Sequence, residues 1–294
     1  MTSAFKSAFK SAEAERAVRE RYLELLNCWP VPNRQLRVPT REGETFVIAC
    51  GREDAPPLML FHGSIANSAM WMGDVAAWAE HFRIYAVDMI GDAGLSAPSR
   101  PPLASDAHAL WLDDVLQALS LTCVSMAGVS LGGWLALDYA IRRPGRVESL
   151  VLLCPGGVGR VKVEVLLKVM PLQMLGSWGR RKAAEIVLGR APSHPPPAAQ
   201  PLIQLMQLIH RTFRARREKL PVFGGDALRA LNLPVLAILG GQDALIDSDD
   251  TRRRLERNVA GVQIRYLPEA GHFIPAQTAP ILDFFCQSVE RVTK

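Results

Sequence analysis

Residues 127–134 read AGVSLGGW, a serine at position 130 held between Gly128 and Gly132. The apolar run Cys123–Ala127 enters this stretch and Trp134–Ala140 leaves it with helical character, so the local reading is strand, sharp turn, helix. Such an elbow forces the serine backbone into a strained region and brings neighbouring elements against its flanks, where only hydrogens fit. The hydroxyl is lifted clear of the sheet. Unpaired N–H groups in the first turn of the new helix face the same place, which suits a developing negative charge. A pentapeptide alone is a weak signal; its position directly after a strand is what singles out Ser130 as a nucleophile.

The surrounding chain repeats the same rhythm. Short apolar runs recur at Pro57–Phe61, Ile84–Val87, Cys123–Ala127, Leu150–Leu153, Val235–Leu239 and Gln263–Leu267, and helical patterns such as Trp71–His81 and Asp106–Ser120 fill most intervals. Buried parallel strands alternating with helices read this way. Ahead of them, Ser11 followed by acids predicts a capped helix to about Leu26, and Gln35–Pro39 and Glu44–Cys50 predict a hairpin with Gly43 at its turn. The rhythm stops once, for about 80 residues between Leu153 and Val235. The predicted organisation is a helical extension at 1–34, an α/β core at 35–155 and 233–294 with a mostly parallel sheet flanked by helices, and a helical cap inserted at 156–232.

A serine hydroxyl needs a base, and the base needs an orienting carboxylate. Of the six histidines, His272 lies five residues beyond the last strand run, where open α/β sheets build their sites. His81 and His108 fall in helical patterns, His194 and His210 fall in the insertion, and His62 ends a strand and is read as shaping the loop after it. For the acid, Gly240–Asp250 offers Asp243, Asp247, Asp249 and Asp250. Asp243 alone directly follows the strand, whereas the others precede a helix, whose start favours acids; Asp243 is preferred and Asp247 held in reserve. Backbone N–H groups of Ser64 and Leu131 are expected to form the oxyanion hole. The order Ser130, Asp243, His272 is that of α/β-hydrolases and differs from both protease orders.

Taken together, His62-Gly63, Asp88–Ser96, Gly128–Gly132, Gly240–Asp243 and Gly271-His272 resemble the α/β-hydrolase superfamily over nearly the whole chain after residue 35. Within it, Trp29–Pro32, Asp54–Gly63, Met70-Trp71 and Tyr85–Asp88 are similar to bacterial carboxylesterases of the carboxylesterase NP type, which cleave esters of arylpropionic acids. The resemblance implies the α/β-hydrolase fold and a serine carboxylic-ester hydrolase working through an acyl-enzyme, with no metal or organic cofactor. Serine at the elbow excludes haloalkane dehalogenases and soluble epoxide hydrolases, which carry aspartate there. Thioesterase, lactonase, acyltransferase, carbon–carbon hydrolase and perhydrolase chemistry stay open, as does a non-catalytic ligand-binding role on the same fold. One departure stands out: Asp92 is an extra residue in the superfamily's D-x-x-G-x-G-x-S turn.

Composition bounds the remaining expectations. With 49% hydrophobic and 21% charged residues the chain suits a globular protein with a sizeable core. No stretch approaches the ~18 apolar residues of a spanning helix and the N-terminus lacks the apolar region of a secretory signal, so a soluble cytoplasmic protein without a membrane partner is expected. Five widely spaced cysteines with no C-x-x-C pair suggest buried thiols, not a disulfide framework or a metal site. The net charge of +5 is concentrated at 156–232, which holds thirteen lysines and arginines against four acids. No nucleic-acid motif accompanies that charge, so the expected partner is a small-molecule ester. Arg211, Arg214 and Arg217 sit at helical spacing and are read as a solvated helix face. Trp71, Trp134 and Phe273 are candidates for the wall of an apolar substrate pocket. The sequence carries no signal for oligomeric state.

Overall fold

All eight predicted strands enter one sheet in a computed structural model of the chain, which describes residues 7–173, 175–188 and 196–292. They are β1 (Asn33–Thr40), β2 (Gly43–Cys50), β3 (Pro57–Phe61), β4 (Arg83–Val87), β5 (Val124–Val129), β6 (Val147–Leu153), β7 (Val235–Gly240) and β8 (Gln263–Leu267), in the spatial order 1-2-4-3-5-6-7-8. β1 and β2 form the expected antiparallel hairpin, turned at Gly43 with φ 97°. β2 also meets β4 antiparallel, and every pairing from β4 through β3 to β8 is parallel.

The inner parallel strands read as continuous apolar runs because both of their faces are covered, whereas β8 at the sheet edge carries Gln263 and Arg265 and is only part-buried. β3 shows how the pleat divides the core: Met59 and Phe61 join the cluster containing Trp111, Trp134 and Tyr139, while Leu58 and Leu60 join the one containing Tyr22, Trp78 and Phe285. The covering helices are α1 (Ala12–Leu26), α2 (Val75–Trp78), α3 (Ala107–Ala118), α4 (Leu131–Arg142), α9 (Ser248–Asn258) and α10 (Thr278–Val292). Ser11 caps α1, its hydroxyl accepting from the Ala14 amide.

Between β6 and β7 lie α5 (Val163–Gln173), α6 (Gly176–Leu188), α7 (Gln200–Thr212) and α8 (Gly225–Arg229). His194 lies outside the described residues. The arginine pattern is not one helix face: α7 ends at Thr212, and residues 214–217 are irregular. The chain leaves the helix there to pair with the N-terminus, Lys10 N–H donating to Thr212 O (2.8 Å) and Arg214 N–H to Ala8 O (3.0 Å). The Phe9 and Phe213 rings meet edge to face at 4.8 Å, and the Arg214 guanidinium donates to Phe9 O.

Two further expectations are corrected. The helix predicted over Trp71–His81 is a 3₁₀ turn at Ser68–Trp71 followed by the single turn α2, so His81 falls outside it. Gly73 separates the pieces, and the Trp78 indole is drawn to Thr278 O at the start of α10 (2.9 Å). All five cysteines are unpaired, but only Cys50 and Cys154 are buried thiols; Cys123 and Cys286 are half-buried and Cys28 is exposed. Among the described residues no helix is long and apolar enough to cross a membrane.

Candidate active site

The carboxyl ends of β3, β5, β6, β7 and β8 open on one edge of the sheet, and His62, Ser130, Cys154, Asp243 and His272 all follow those ends within five residues. Ser130 occupies φ 52°, ψ −107°, a conformation that L-residues avoid. Backbone bonds on both sides impose it: Ser130 N–H donates to Leu153 O (2.9 Å), and Ser130 O accepts from Trp134 (2.9 Å) and Gly156 (3.1 Å). A Cβ at Gly128 would overlap the Gly132 carbonyl, and one at Gly132 would overlap the carbonyls of Phe61 and His62. Both flanking glycines are therefore demanded by close approach.

Asp243 and His272 meet directly. Asp243 Oδ2 lies 2.7 Å from His272 Nδ1, with the two residues 1% and 7% exposed. Asp243 Oδ1 accepts from the amides of Leu245 (2.8 Å) and Ile246 (3.0 Å). Burial works to raise the Asp243 carboxyl, but the hydrogen bond and charge of His272 with those two amides outweigh it and hold the group below its ordinary range. With Nδ1 engaged, Nε2 is the imidazole nitrogen left for a proton transfer. Asp247, the reserve acid, instead caps α9, accepting from the Asp250 amide at 2.9 Å.

Cys154, which sequence reasoning passed over, stands beside this pair. Its backbone sits at φ 41°, its amide donates to Ile238 O (3.0 Å), and burial with the Asp243 charge pushes its thiol well up. Cys154, Asp243 and His272 hold possible ligand atoms within 4.8 Å of one another, the one such trio among the described residues. Its only sequence signal is a place immediately after a strand.

The loop after β3 abuts the nucleophile, since a Cβ built on Gly63 would lie 4.0 Å from Ser130 Cβ. Side chains fix this loop along its length. His62 donates from Nδ1 to Gly63 O (2.8 Å) and accepts the Met89 amide at Nε2 (2.9 Å), which sets its tautomer. Asp88 accepts from Ser68 N–H (2.8 Å) and Leu95 N–H (2.8 Å), and from the Tyr22 hydroxyl at 3.0 Å. The amide of Leu131, first residue of α4, is the other donor predicted beside Ser130.

The pocket candidates separate. Trp71 is 3% exposed and packs on Trp78 at 5.8 Å, its indole N–H buried without a partner. Trp134 is buried beneath the insertion, donating to Pro221 O (3.0 Å) and stacking on Phe223 at 6.0 Å. Phe273, next to His272, is 55% exposed.

The model of the alpha/beta hydrolase family matches residues 58–284. The chain belongs to this family. The matched span of this α/β hydrolase contains Ser130, Asp243 and His272, and leaves α1 and the β1–β2 hairpin outside. Two relatives extend further. Carboxylesterase YbfK of Bacillus subtilis (strain 168) is 29% identical over 296 residues, 96% of this α/β hydrolase and 98% of the relative. The uncharacterized carboxylesterase nap of the same strain is 32% identical over 256 residues, covering 86% and 85%. The crystal structure of naproxen esterase (carboxylesterase NP) from Bacillus subtilis matches with a TM-score of 0.81 at 28% identity, over 97% of this chain and all of that one. The fold and the resemblance expected from the motifs are thus borne out.

Proposed function

We propose that this α/β hydrolase cleaves carboxylic esters through an acyl-enzyme on Ser130. Ser130 Oγ attacks the ester carbonyl carbon as its proton passes to His272 Nε2. The tetrahedral oxyanion is held by the N–H groups of Ser64 and Leu131, each worth ~3 kcal/mol when fixed before charge develops. Collapse expels the alcohol, which takes the proton from His272. Water then attacks the acyl-Ser130, giving its proton to His272, and the acid leaves as Ser130 is regenerated. Asp243 keeps the imidazole in the tautomer with Nε2 free and compensates its positive charge. The observation that carries this reading is the buried 2.7 Å Asp243–His272 bond on the same sheet edge as a serine held at φ 52°.

Residues 156–232 act in this reading as a cap that selects substrate without doing chemistry. Supporting it, the insertion begins over the loop of the acid: Val161 bridges Ile246, and the Lys162 ammonium donates to the Asp243 carbonyl oxygen at 2.8 Å. The names of the relatives, carboxylesterase and naproxen esterase, favour carboxylic esters, those of arylpropionic acids among them. Labelling with a fluorophosphonate and peptide mapping tests the nucleophile: modification at Ser130 is expected, and an unlabelled Ser130 in folded protein defeats the proposal. A panel of p-nitrophenyl esters, an arylpropionic methyl ester, thioesters and lactones, ranked by kcat/KM, tests the substrate class, with short acyl and arylpropionic esters expected to lead.

A further inference from the structure

Asp92 is the residue by which the turn after β4 exceeds the common superfamily pattern, and its side chain reaches across to the loop after β3. Its Oδ1 accepts the amide of Ile65 at 2.9 Å and that of Ala93, in its own turn, at 3.0 Å. Ile65 sits at φ 59°, where a β-branched residue is strained by roughly 1–3 kcal/mol and persists only if its surroundings hold it. A second bond links the same two segments, Asn67 Nδ2 to Ala93 O at 3.2 Å. The turn itself is secured from behind: Gly91 N–H donates to Ala97 O (2.8 Å), and Arg100 Nε donates to Gly91 O (2.8 Å).

These contacts bear on one peptide. Ser64, whose N–H is assigned to the oxyanion, directly precedes Ile65, so the bond at Ile65 N–H fixes the Ser64–Ile65 peptide, the one that follows the donor's own Gly63–Ser64 peptide, and restrains Ser64 from its carboxyl side. His62 holds the donor's own Gly63–Ser64 peptide through Gly63 O, and Asp88 anchors the loop beyond, at Ser68 N–H. Asp92 supplies the only side-chain bond recorded between these two anchors for the backbone at 64 and 65 among the described residues. Donors in an oxyanion hole lower the barrier only when they are fixed where the oxyanion will form, so a loosened peptide here costs turnover more than it costs substrate binding.

We propose that Asp92 is a positioning residue that holds the oxyanion loop through the Ile65 amide. The inference rests on the assignment of Ser130 and Ser64 above. The carboxylate form is the stronger acceptor of the two protonation states. Burial raises the Asp92 carboxyl to about 6, against the lowering effect of the Ala93 and Ile65 amides and of the Arg100 charge behind the turn; Arg100 and His62, at the end of β3, are the titratable and charged groups facing it. Above that pH the ionised group grips Ile65 most firmly; below it the hold slackens.

The test compares Asp92→Ala and Asp92→Asn with the wild-type chain on one p-nitrophenyl ester, together with inhibition by a trifluoromethyl ketone, which forms an oxyanion on Ser130. Asp92→Ala removes the acceptor, and kcat is expected to fall ~10–100-fold with KM changed less than about twofold, the ketone weakening in parallel with kcat. Asp92→Asn keeps an acceptor oxygen and restores most of kcat, while the wild-type advantage over it, about fivefold at pH 8, shrinks as pH falls through about 6. If Asp92→Ala does not fold, the pH dependence of the wild-type to Asp92→Asn ratio decides alone. A kcat for Asp92→Ala within twofold of wild type, ketone affinity unmoved by the substitution, or a ratio flat across pH 5–8 overturns the proposal. Fluorophosphonate labelling keeps the two ideas apart: Ser130 labelled with Asp92→Ala fully active defeats the inference alone, whereas Ser130 unlabelled in the wild-type chain defeats both.

Discussion

Asp243 Oδ2 and His272 Nδ1 lie 2.7 Å apart, while Asp247, four residues further on, directs its carboxylate to the amide of Asp250. The two acids therefore fail differently. Asp243→Asn is expected to reduce kcat by ~10³–10⁴-fold with little loss of stability, since the amide favours the wrong imidazole tautomer. Asp247→Ala is expected to keep kcat within about threefold and to cost ~1 kcal/mol of stability through the lost helix cap. Parallel assays and urea titrations check both, and an inactive Asp247→Ala beside an active Asp243→Asn reverses the assignment.

Strain at Ser130 should be measurable without turnover. Glycine tolerates φ 52° where alanine does not, so Ser130→Gly is expected to unfold at higher temperature than Ser130→Ala, although both are inactive. The difference is of order 1 kcal/mol. Equal midpoints by calorimetry contradict the claim that the elbow is strained.

Close approach at the elbow gives a second contrast. Gly132→Ala places a methyl into the Phe61 and His62 carbonyls, whereas Gly73→Ala meets nothing within 4 Å and carries no positive φ. The first is expected to cost more than about 3 kcal/mol and abolish activity, the second to be neutral within about 0.5 kcal/mol. Urea midpoints of the two variants decide it.

His108 predicts an acid-sensitive fold. It is 6% exposed, its Nδ1 is buried without a partner, and burial, with Arg216 and Arg142 nearby, lowers it to about 4 despite Glu218. Its folded pKa lies below the ordinary histidine value, so the unfolded chain binds the proton more readily. The neutral ring stabilises fully above about pH 6.5, and the contribution drains away as pH falls toward 4, by about 3 kcal/mol in all. Unfolding midpoints for His108→Phe are expected to fall less steeply across that window than those of the wild-type chain; parallel curves count against this account.

Much of this was legible in the amino-acid order because buried parallel strands announce themselves. β3 coincides with its apolar run to the residue and β7 differs by one; β8 also has its expected bounds, although at the sheet edge it is only part-buried. Ser130, Asp243 and His272 could be picked out because each closely follows such a run, where the geometry of an open sheet concentrates chemistry. What escaped reading depends on partners distant in sequence. The Tyr22–Asp88 bond spans 66 residues and leaves no periodic trace. Arg214 fell into a helical spacing that its pairing with Ala8 overrides. Cys154 and Asp92 lie in irregular backbone, where no pattern of burial betrays which way a side chain turns; Asp92 was visible as an addition, and only its bond to Ile65 gives the addition a purpose.

The pairing of residues 8–10 with 212–214 has a bearing on how such a chain can be recombined. Arg21 also donates to Gln204 of α7, and Tyr22 of the same helix reaches Asp88 beneath the loop after β3. Helices α1 and α7 thus form a single block built from distant regions of the sequence, which α1 fastens to the core through Tyr22. A graft of residues 156–232 from a relative would arrive without the surface against which α7 is seated. The smallest transferable module is discontinuous, the N-terminal stretch travelling with the insertion, and a chimera that respects this junction should fold where one cut only at 156 and 232 does not.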